Sequence, residues 1–300
     1  MTPSSPLSPV AKLALAVVTE HERATPAPVG AREEAMRTLL QTGADAGVNI
    51  VATRPEGDGE RLLGQAWPFP SPFRVTVRTV SLSEGVDRVE ARARRSLERL
   101  GLPRGDALLV SSASDLAGAN GRELWDRLKA LKDRGLFKRI GFCAAMEDGP
   151  ALLARRFQPD IVQMPCNLLD QRPVSEGVIG DLAAMGVDVH VSSIFARGLL
   201  FASRENLPPH LVEHGAALSR TRRYLAERRI DPMQAALAFA LGLPPVGAAI
   251  ASVASAAELR AILAAAHAPR PDLDWEALAL TEPAALSLSR AARMTISNAA

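Results

Sequence analysis

Aromatic residues are scarce in this chain of 300 residues, and its positive and negative charges nearly balance. Phe, Trp and Tyr together make up 4% of the sequence, a single residue is tyrosine, and the net charge at neutral pH is +2. Surfaces that bind nucleic acid usually carry a clustered basic stripe interleaved with aromatic side chains. The densest group of basic residues, at positions 88–99, is interleaved with Glu90 and Glu98, which is typical of a solvated helix face. We therefore expect no nucleic-acid partner.

Cysteine is also scarce, and long apolar runs are absent. Cys143 and Cys166 lie in apolar segments without a CxxC spacing or a Cys/His cluster, which argues for a reducing compartment and against a metal site. No apolar run reaches about 18 residues, so no membrane span is expected. The first apolar stretch is short, lacks a charged segment before it and begins at Lys12, which does not fit a signal peptide. These features favour a cytoplasmic protein.

The sequence does contain a regular alternation of short apolar runs with helical patterns. Strands separated by amphipathic helices pair in parallel through crossover connections. Eight such units, with strands too continuously apolar to leave one face in water, indicate a closed (β/α)8 TIM barrel. We predict one domain over residues 1–300, with the barrel at about 11–266 and a tail at 267–300 packed outside it. The predicted strands are 12–18, 48–53, 74–80, 107–112, 138–144, 160–166, 187–193 and 248–253, and the predicted helices are 31–46, 59–66, 83–100, 121–134, 148–157, 175–185, 213–229, 232–243 and 255–266.

Helix boundaries are predicted from capping residues. Ser83 is the first residue of the predicted helix 83–100 and precedes its amphipathic run, and Gly101 ends the helix. Ser255 and Glu258 have the spacing of a capping box before the last predicted helix.

Four segments resemble the aldo-keto reductase superfamily in their order along the chain. Residues 47–64, GVNIVATRPEGDGERLLG, are similar to its second strand and following loop, and residues 159–172, PDIVQMPCNLLDQR, to its sixth strand. Residues 187–200, VDVHVSSIFARGLL, resemble one bacterial subgroup, and residues 235–263 resemble the last helix–strand–helix unit. The resemblance covers most of residues 11–266 and implies an aldo-keto reductase-type (β/α)8 barrel.

The same resemblance implies a carbonyl reductase using NADP(H), with a catalytic tetrad of Asp, Tyr, Lys and His. Here the Asp position holds Ala52, the Lys position holds Arg78 and the His position holds Ser111. The Tyr has no counterpart, because the loop after the second strand is one residue short. The one tyrosine, Tyr224, lies inside the helical pattern 213–229. No residue at these positions is predicted to act as a general acid, since an arginine side chain stays protonated in proteins.

The resemblance gives mixed indications for cofactor binding. Gln163 matches the residue that contacts the nicotinamide carboxamide, and Asn167 follows it on the same strand end. Ser192 replaces an aromatic residue or Arg near the nicotinamide, and Ser252 replaces a Gly beside the phosphates. Arg260 is a candidate contact for the 2′-phosphate. NADP(H) therefore stays open, with these five residues as its candidate contacts.

Other candidate groups have a structural interpretation beside the functional one. Cys143 and Cys166 are either replacement nucleophiles or small buried wall residues. Glu56, Asp58 and Glu60 in the shortened loop either bind a cation or basic ligand, or form a solvated acidic loop.

The histidines have similar alternatives. His21 follows the first strand and faces either the pocket or solvent, and His190 is expected to be a hydrogen-bonded wall residue. His210 and His214 have the spacing of a metal clamp on a helix but no third ligand nearby, so a surface or capping role is favoured.

The favoured hypothesis is a catalytically degenerate aldo-keto reductase-like barrel that binds a small molecule or a protein. The loss of all four tetrad groups within an intact framework motivates it. One alternative is an NADP(H)-dependent carbonyl oxidoreductase with an unorthodox active site that uses Arg78, Ser111 or water. The other is a different enzyme on the same scaffold, which uses Cys143, Cys166 or the acidic loop.

Overall fold

A computed structural model describes residues 9–18, 28–202, 205, 207 and 209–286 of this chain. Within this part, eight parallel strands close into a barrel in the order of the sequence. They are β1 (Leu13–Val17), β2 (Ile50–Ala52), β3 (Arg74–Arg78), β4 (Gly105–Val110), β5 (Phe137–Cys143), β6 (Ile161–Pro165), β7 (Asp188–Ser192) and β8 (Val246–Val253). Each of the predicted strands is present, and the predicted TIM barrel is confirmed.

Helices follow the strands on the outside of the barrel. They are α1 (Val29–Asp45), α2 (Gly59–Gly64), α3 (Val86–Leu100), α4 (Ala113–Ala117), α5 (Gly121–Asp133), α6 (Pro150–Phe157), α7 (Arg172–Ser175), α8 (Val178–Ala184), α9 (Gly215–Glu227), α10 (Pro232–Leu241) and α11 (Ala256–His267). The short helices α4 and α7 were not predicted, because one or two turns carry too little apolar periodicity to be seen.

The start of α3 differs from its prediction. The chain forms a separate 3-10 turn at Leu82–Glu84, and Gly85 follows with φ 91° before the helix begins at Val86. A backbone with this positive φ cannot continue a right-handed helix. The helix therefore begins three residues after Ser83. Its end is as predicted, because Gly101 caps it in the left-handed conformation with φ 64°.

The strands separate two apolar regions. Alternate side chains of a strand point to opposite faces, so each strand contributes to the core beneath the helices and to the barrel interior. Val75 and Val77 of β3 pack in the outer core. The interior holds two smaller clusters, one of Ala14, Ile50, Ala52, Ala248 and Ile250, and one of Ala107, Leu109 and Ile161.

Charged residues near the amino-terminal ends of the strands form a network that links β4, β5 and β7. Arg139 donates to Asp188 at 2.7 Å and also bonds Asp106. His190, which is 1% exposed, lies with Nε2 3.1 Å from the Asp188 carboxylate. The prediction that His190 is a hydrogen-bonded wall residue is confirmed.

The described part of the C-terminal tail packs against α10 and against the loop after β6. The Trp275 ring lies 6.0 Å from that of Phe239, and the Leu280 amide donates to the Leu169 carbonyl at 2.9 Å. Leu280 is itself buried.

No helix within the described ranges combines the length and the apolar character needed to cross a membrane. The cysteines Cys143 and Cys166 are unpaired.

Candidate functional site

The three residues that the resemblance assigns to tetrad positions, Ala52, Arg78 and Ser111, lie together at the carboxyl ends of β2, β3 and β4. In barrels of this kind the chemistry is carried by this end. Ala52 is the last residue of β2 and Arg78 the last of β3, and Ser111 directly follows β4. Ala52 is 7% exposed and packs in an interior apolar cluster, so no carboxylate or proton donor is present at its position.

Ser111 is held by the backbone of the neighbouring strand end. Its hydroxyl donates to the Thr79 carbonyl, and its amide donates to the Thr79 hydroxyl at 3.1 Å. The serine proton is therefore engaged in a structural hydrogen bond. This geometry joins the ends of β3 and β4 and does not present an acid to a ligand.

Arg78 lies on the interior side of β3 because Val75 and Val77 take the outer side. It is half-buried, and within the described part of the chain no group accepts a hydrogen bond from its guanidinium. Its charge acts on Cys143 at the end of β5, as does the charge of Arg54, two residues beyond β2. Arg54 is not among the candidates predicted from the sequence, although its place just after a strand end is the kind of signal that indicates a site residue.

Neither cysteine has the environment of an activated thiolate. Burial raises the pKa of the Cys143 thiol, and Arg78 and Arg54 only partly oppose this effect. Burial raises the pKa of Cys166 to about 12, with a further contribution from Asp170. Both thiols therefore hold their protons at neutral pH, which does not support the replacement-nucleophile alternative.

Two of the three acidic side chains in the loop after β2 form ion pairs with arginines. Asp58 forms an ion pair with Arg32 at 2.8 Å. The Glu60 side chain is fully buried and lies 3.5 Å from Arg99 Nε. The solvated-loop interpretation is therefore wrong for Glu60. No group of three metal-ligating side chains occurs among the residues that the structure describes.

Arginines of α3 fix this shortened loop from beneath. Arg92 donates to the Pro55 carbonyl and Arg99 to the Gly57 carbonyl. The loop after β2 is thus attached to the neighbouring helix. These contacts join residues about forty positions apart, and no local pattern in the sequence predicts them.

The residues retained in segment 47–64 are structural. Gly47 has φ 84°, which favours glycine in the turn before β2. Asn49 Oδ1 accepts a hydrogen bond from Arg74 at 3.2 Å, and Thr53 and Leu63 are buried. The segment therefore keeps the groups that build the barrel wall.

Gln163 is the candidate cofactor contact that the geometry supports best. It is 2% exposed on β6, in register with Cys143 on one side and His190 on the other. Its Oε1 has no hydrogen-bond partner. A buried acceptor is costly unless water or a ligand supplies a donor, and the carboxamide N–H of a nicotinamide is one donor that would fit.

Asn167 is engaged in its own turn. Its Oδ1 accepts hydrogen bonds from the amides of Leu169 at 3.0 Å and Asp170 at 3.1 Å. The side chain shapes the loop after β6, and its oxygen is already satisfied.

The remaining candidate cofactor contacts lie at the ends of β7 and β8 and on α11. Ser192 is half-buried, whereas Ser252 and Arg260 are exposed. At the start of α11, Ser255 Oγ accepts from the Glu258 amide at 3.2 Å, which confirms the predicted cap. Glu258 Oε2 accepts a hydrogen bond from the Ala254 amide at 2.8 Å, so this N–H group already donates to a carboxylate.

The loop after β7 is strained. Ser193, Ala196 and Arg197 have φ values of 56°, 47° and 56°, in the left-handed region that favours glycine. Such strain tends to cluster at ligand-binding sites. The sequence gives no sign of it, since none of these residues is a turn-forming Gly or Asn.

Other predicted candidates lie away from the strand ends. His21 falls outside the described residues, and so does the side chain of His210. His214 precedes α9 beside a cleft of about 310 Å³ that Glu213 and Arg220 also line. The Tyr224 hydroxyl accepts from the Asp274 amide at 3.4 Å, so the tyrosine ties α9 to the tail.

Comparison with known proteins agrees with this architecture. A model of the aldo/keto reductase family matches residues 72–280. The holo form of aldo-keto reductase AKR11C1 from Bacillus halodurans is 20% identical, with a TM-score of 0.65 over 82% of this chain and 86% of its own. Aldose reductase from Giardia lamblia is 13% identical, with a TM-score of 0.65 over 89% of this chain and 91% of its own. No curated protein sequence matches.

Proposed function

The chain belongs to the aldo/keto reductase family, and from this premise we propose that it binds a small molecule at the barrel mouth without reducing it. One observation carries the proposal. The strand ends that would hold the proton donor and its supporting groups hold Ala52, Arg78 and Ser111. We favour a small molecule over a protein partner, because the strand ends of a barrel form a concave site.

Carbonyl reduction requires a proton for the developing alkoxide as well as a hydride. Alanine has no proton to give, and arginine does not release one at neutral pH. The Ser111 proton is donated to the Thr79 carbonyl. The Tyr224 hydroxyl lies between α9 and the tail. None of these groups replaces a tyrosine whose pKa is lowered for catalysis.

The first test is NADPH oxidation with a broad panel of aldehydes and ketones. We expect no turnover above the enzyme-free rate for the wild-type protein. Arg78→Lys should also be inactive, because the restored lysine still lacks the Asp and the Tyr that it would act with. Turnover by the wild type that disappears in Gln163→Leu would overturn the proposal.

The second candidate function is an NADP(H)-dependent oxidoreductase with an unorthodox site, and the unpaired Oε1 of Gln163 favours it. The cofactor would supply a hydride, and Gln163 would orient its carboxamide. Ser192, Ser252 and Arg260 are the other proposed contacts.

Calorimetric titration with NADPH separates the two functions. Micromolar binding together with turnover would establish the oxidoreductase. Binding that weakens in Gln163→Leu, without turnover, would make the cofactor itself the bound molecule. No binding would count against the oxidoreductase.

A cytoplasmic location also stays a prediction.

A further inference from the structure

Arg78 is a charged side chain among uncharged interior-facing side chains at the ends of the neighbouring strands. On the interior side, the neighbouring strand ends carry Ala52 on β2, Ser111 after β4 and Cys143 on β5. Gln163, in register with Cys143, is also uncharged. A half-buried guanidinium without an acidic neighbour on the adjoining strand ends retains its positive charge and its hydrogen-bond donors.

Two arginines lie close enough to act on this position. The charges of Arg78 and, from the exposed end of β2, Arg54 both favour the anionic form of Cys143, although burial outweighs them. An anion placed beside Cys143 would be attracted by the same charges. Arg78 is the one of the two that lies on the interior side of the barrel wall, at the end of β3.

The interior beneath this position is mainly apolar, with the buried Thr76 as a polar residue directly below Arg78 on β3. Ile50, Ala52 and Ile250 belong to one cluster, and Leu109 and Ile161 to the other. Two of the side chains at the ends of strands beside Arg78, those of Ala52 and Cys143, are small. A ligand with a hydrocarbon body therefore has an apolar surface to contact below the charge.

From this arrangement we propose that the barrel mouth binds a small carboxylic acid, with its carboxylate on Arg78 and its apolar part toward Ala52 and Cys143. A guanidinium presents paired donors that match a carboxylate in a bidentate geometry. Phosphate sites usually add several free backbone N–H groups, whereas the amides of Thr79 and Ser111 beside Arg78 already donate to the Leu109 carbonyl and to the Thr79 hydroxyl. The inference rests on the proposed binding function and names its ligand class.

Cys143 provides a reporter for this site. Iodoacetate and iodoacetamide alkylate a thiol in the same way but differ in that iodoacetate carries a carboxylate. The rate ratio of iodoacetate to iodoacetamide at Cys143, normalised to N-acetylcysteine amide, should be raised at least about threefold in the wild type. The labelled Cys143 peptide is quantified by mass spectrometry under mildly alkaline conditions, because burial raises the pKa of this thiol. Cys166 is 0% exposed and should remain unlabelled in the folded protein.

Two arginines of β3 give a matched pair of variants. Arg78→Gln should lower the normalised ratio toward that of the free thiol. Arg74→Gln removes the same charge from the opposite end of the same strand, where Arg74 bonds Asn49, and should leave the ratio raised. An equal loss in both variants would show a general charge effect and would overturn the site.

Direct binding is measured by calorimetry with benzoate, phenylacetate and hexanoate, and with the corresponding amides and inorganic phosphate. At least one acid should bind ten-fold or more tightly than its amide, and Arg78→Gln should weaken it by at least about ten-fold. Tighter binding of phosphate than of every acid would overturn the carboxylate class. Equal affinity of all acids and amides, together with an unraised alkylation ratio, would overturn the inference.

These outcomes are separable from those of the reductase assay. NADPH-dependent turnover would defeat the proposed function whether or not acids bind. Absence of turnover with no preference for acids would defeat only the carboxylate assignment.

Discussion

At the residue scale, Glu60 is a buried carboxylate with incomplete pairing. Its oxygens form no hydrogen bond of good geometry, although the Ser96 hydroxyl lies nearby, and its ion pair with Arg99 is long at 3.5 Å. Burial raises the pKa of Glu60, and the interaction with Ser96 and the positive charges of Arg99 and Arg92 only partly oppose it. When folding raises the pKa of a carboxyl group, the free energy of unfolding decreases as pH rises above the pKa of that group in the unfolded state.

Glu60→Gln should therefore become more stable relative to the wild type as pH increases. Below about pH 4 the two side chains are both neutral and similar in shape, so their difference in unfolding free energy should be smallest there. Between about pH 5 and 8 the wild type must ionise a buried group and the variant does not. Urea unfolding at several pH values measures this difference. Glu56→Gln, in the exposed part of the same loop, should show no such trend, and a trend of the opposite sign in Glu60→Gln would refute the explanation.

At the element scale, α2 approaches the end of α3 so closely that only glycine fits at their contact. A Cβ at Gly64 would lie 2.3 Å from the Arg99 carbonyl oxygen. The backbone of α3 cannot move away without disturbing Arg99, which bonds Gly57. Gly64 is thus required for the packing of α2 on α3.

Gly64→Ala should destabilise the protein by about 2 kcal/mol or more, because a backbone atom cannot move away from the added methyl group as a flexible side chain could. Gly180 is the matched control: it is an exposed helical glycine in α8, and nothing lies within 4 Å of its would-be Cβ. Gly180→Ala should stabilise the protein by roughly 0.5–1 kcal/mol. Chemical denaturation of both variants checks the pair, and similar effects from the two would contradict the packing argument.

Elements with strong periodicity could be predicted from the sequence, and contacts between distant residues could not. The apolar runs of β1 to β8 are local signals, and the tetrad positions Ala52, Arg78 and Ser111 follow from segment resemblance. The arginine contacts to Pro55 and Gly57 depend on the packing of α2 on α3. The hydrogen bond of Ser111 to Thr79 depends on the register of β3 and β4.

At the scale of the whole molecule, the two ends of the barrel differ in how their charges are used. At the amino-terminal end, Arg139 is satisfied by Asp106 and Asp188. At the carboxyl-terminal end, Arg78 has no such acidic pair within the described residues. The paired arginine, Arg139, links strands, as expected of the end of a TIM barrel that serves stability, whereas Arg78 is the arginine proposed to bind a ligand.

This difference predicts how the fold responds to acid. Burial alone would raise the pKa of Asp188, but hydrogen bonds from His190 and Arg139 outweigh burial and lower the pKa to about 2. A carboxyl with a lowered folded-state pKa stabilises the fold above its unfolded-state pKa near 3.9, and this contribution is lost as pH falls toward 2. Asp188→Asn should therefore cost about 1–2 kcal/mol at pH 7, after allowance for partial exposure of the carboxylate to solvent.

The cost of Asp188→Asn should shrink between about pH 4 and 2, because protonation then removes the same charge from the wild type. Denaturant unfolding across this range, followed by circular dichroism, measures the difference. Asp181→Asn is the control, since Asp181 faces Arg155 at 3.9 Å with both side chains about 60% exposed. Its effect should stay below about 0.5 kcal/mol at every pH. An Asp188→Asn cost that persists unchanged at pH 2 would mean that the network stabilises the barrel through packing rather than through charge.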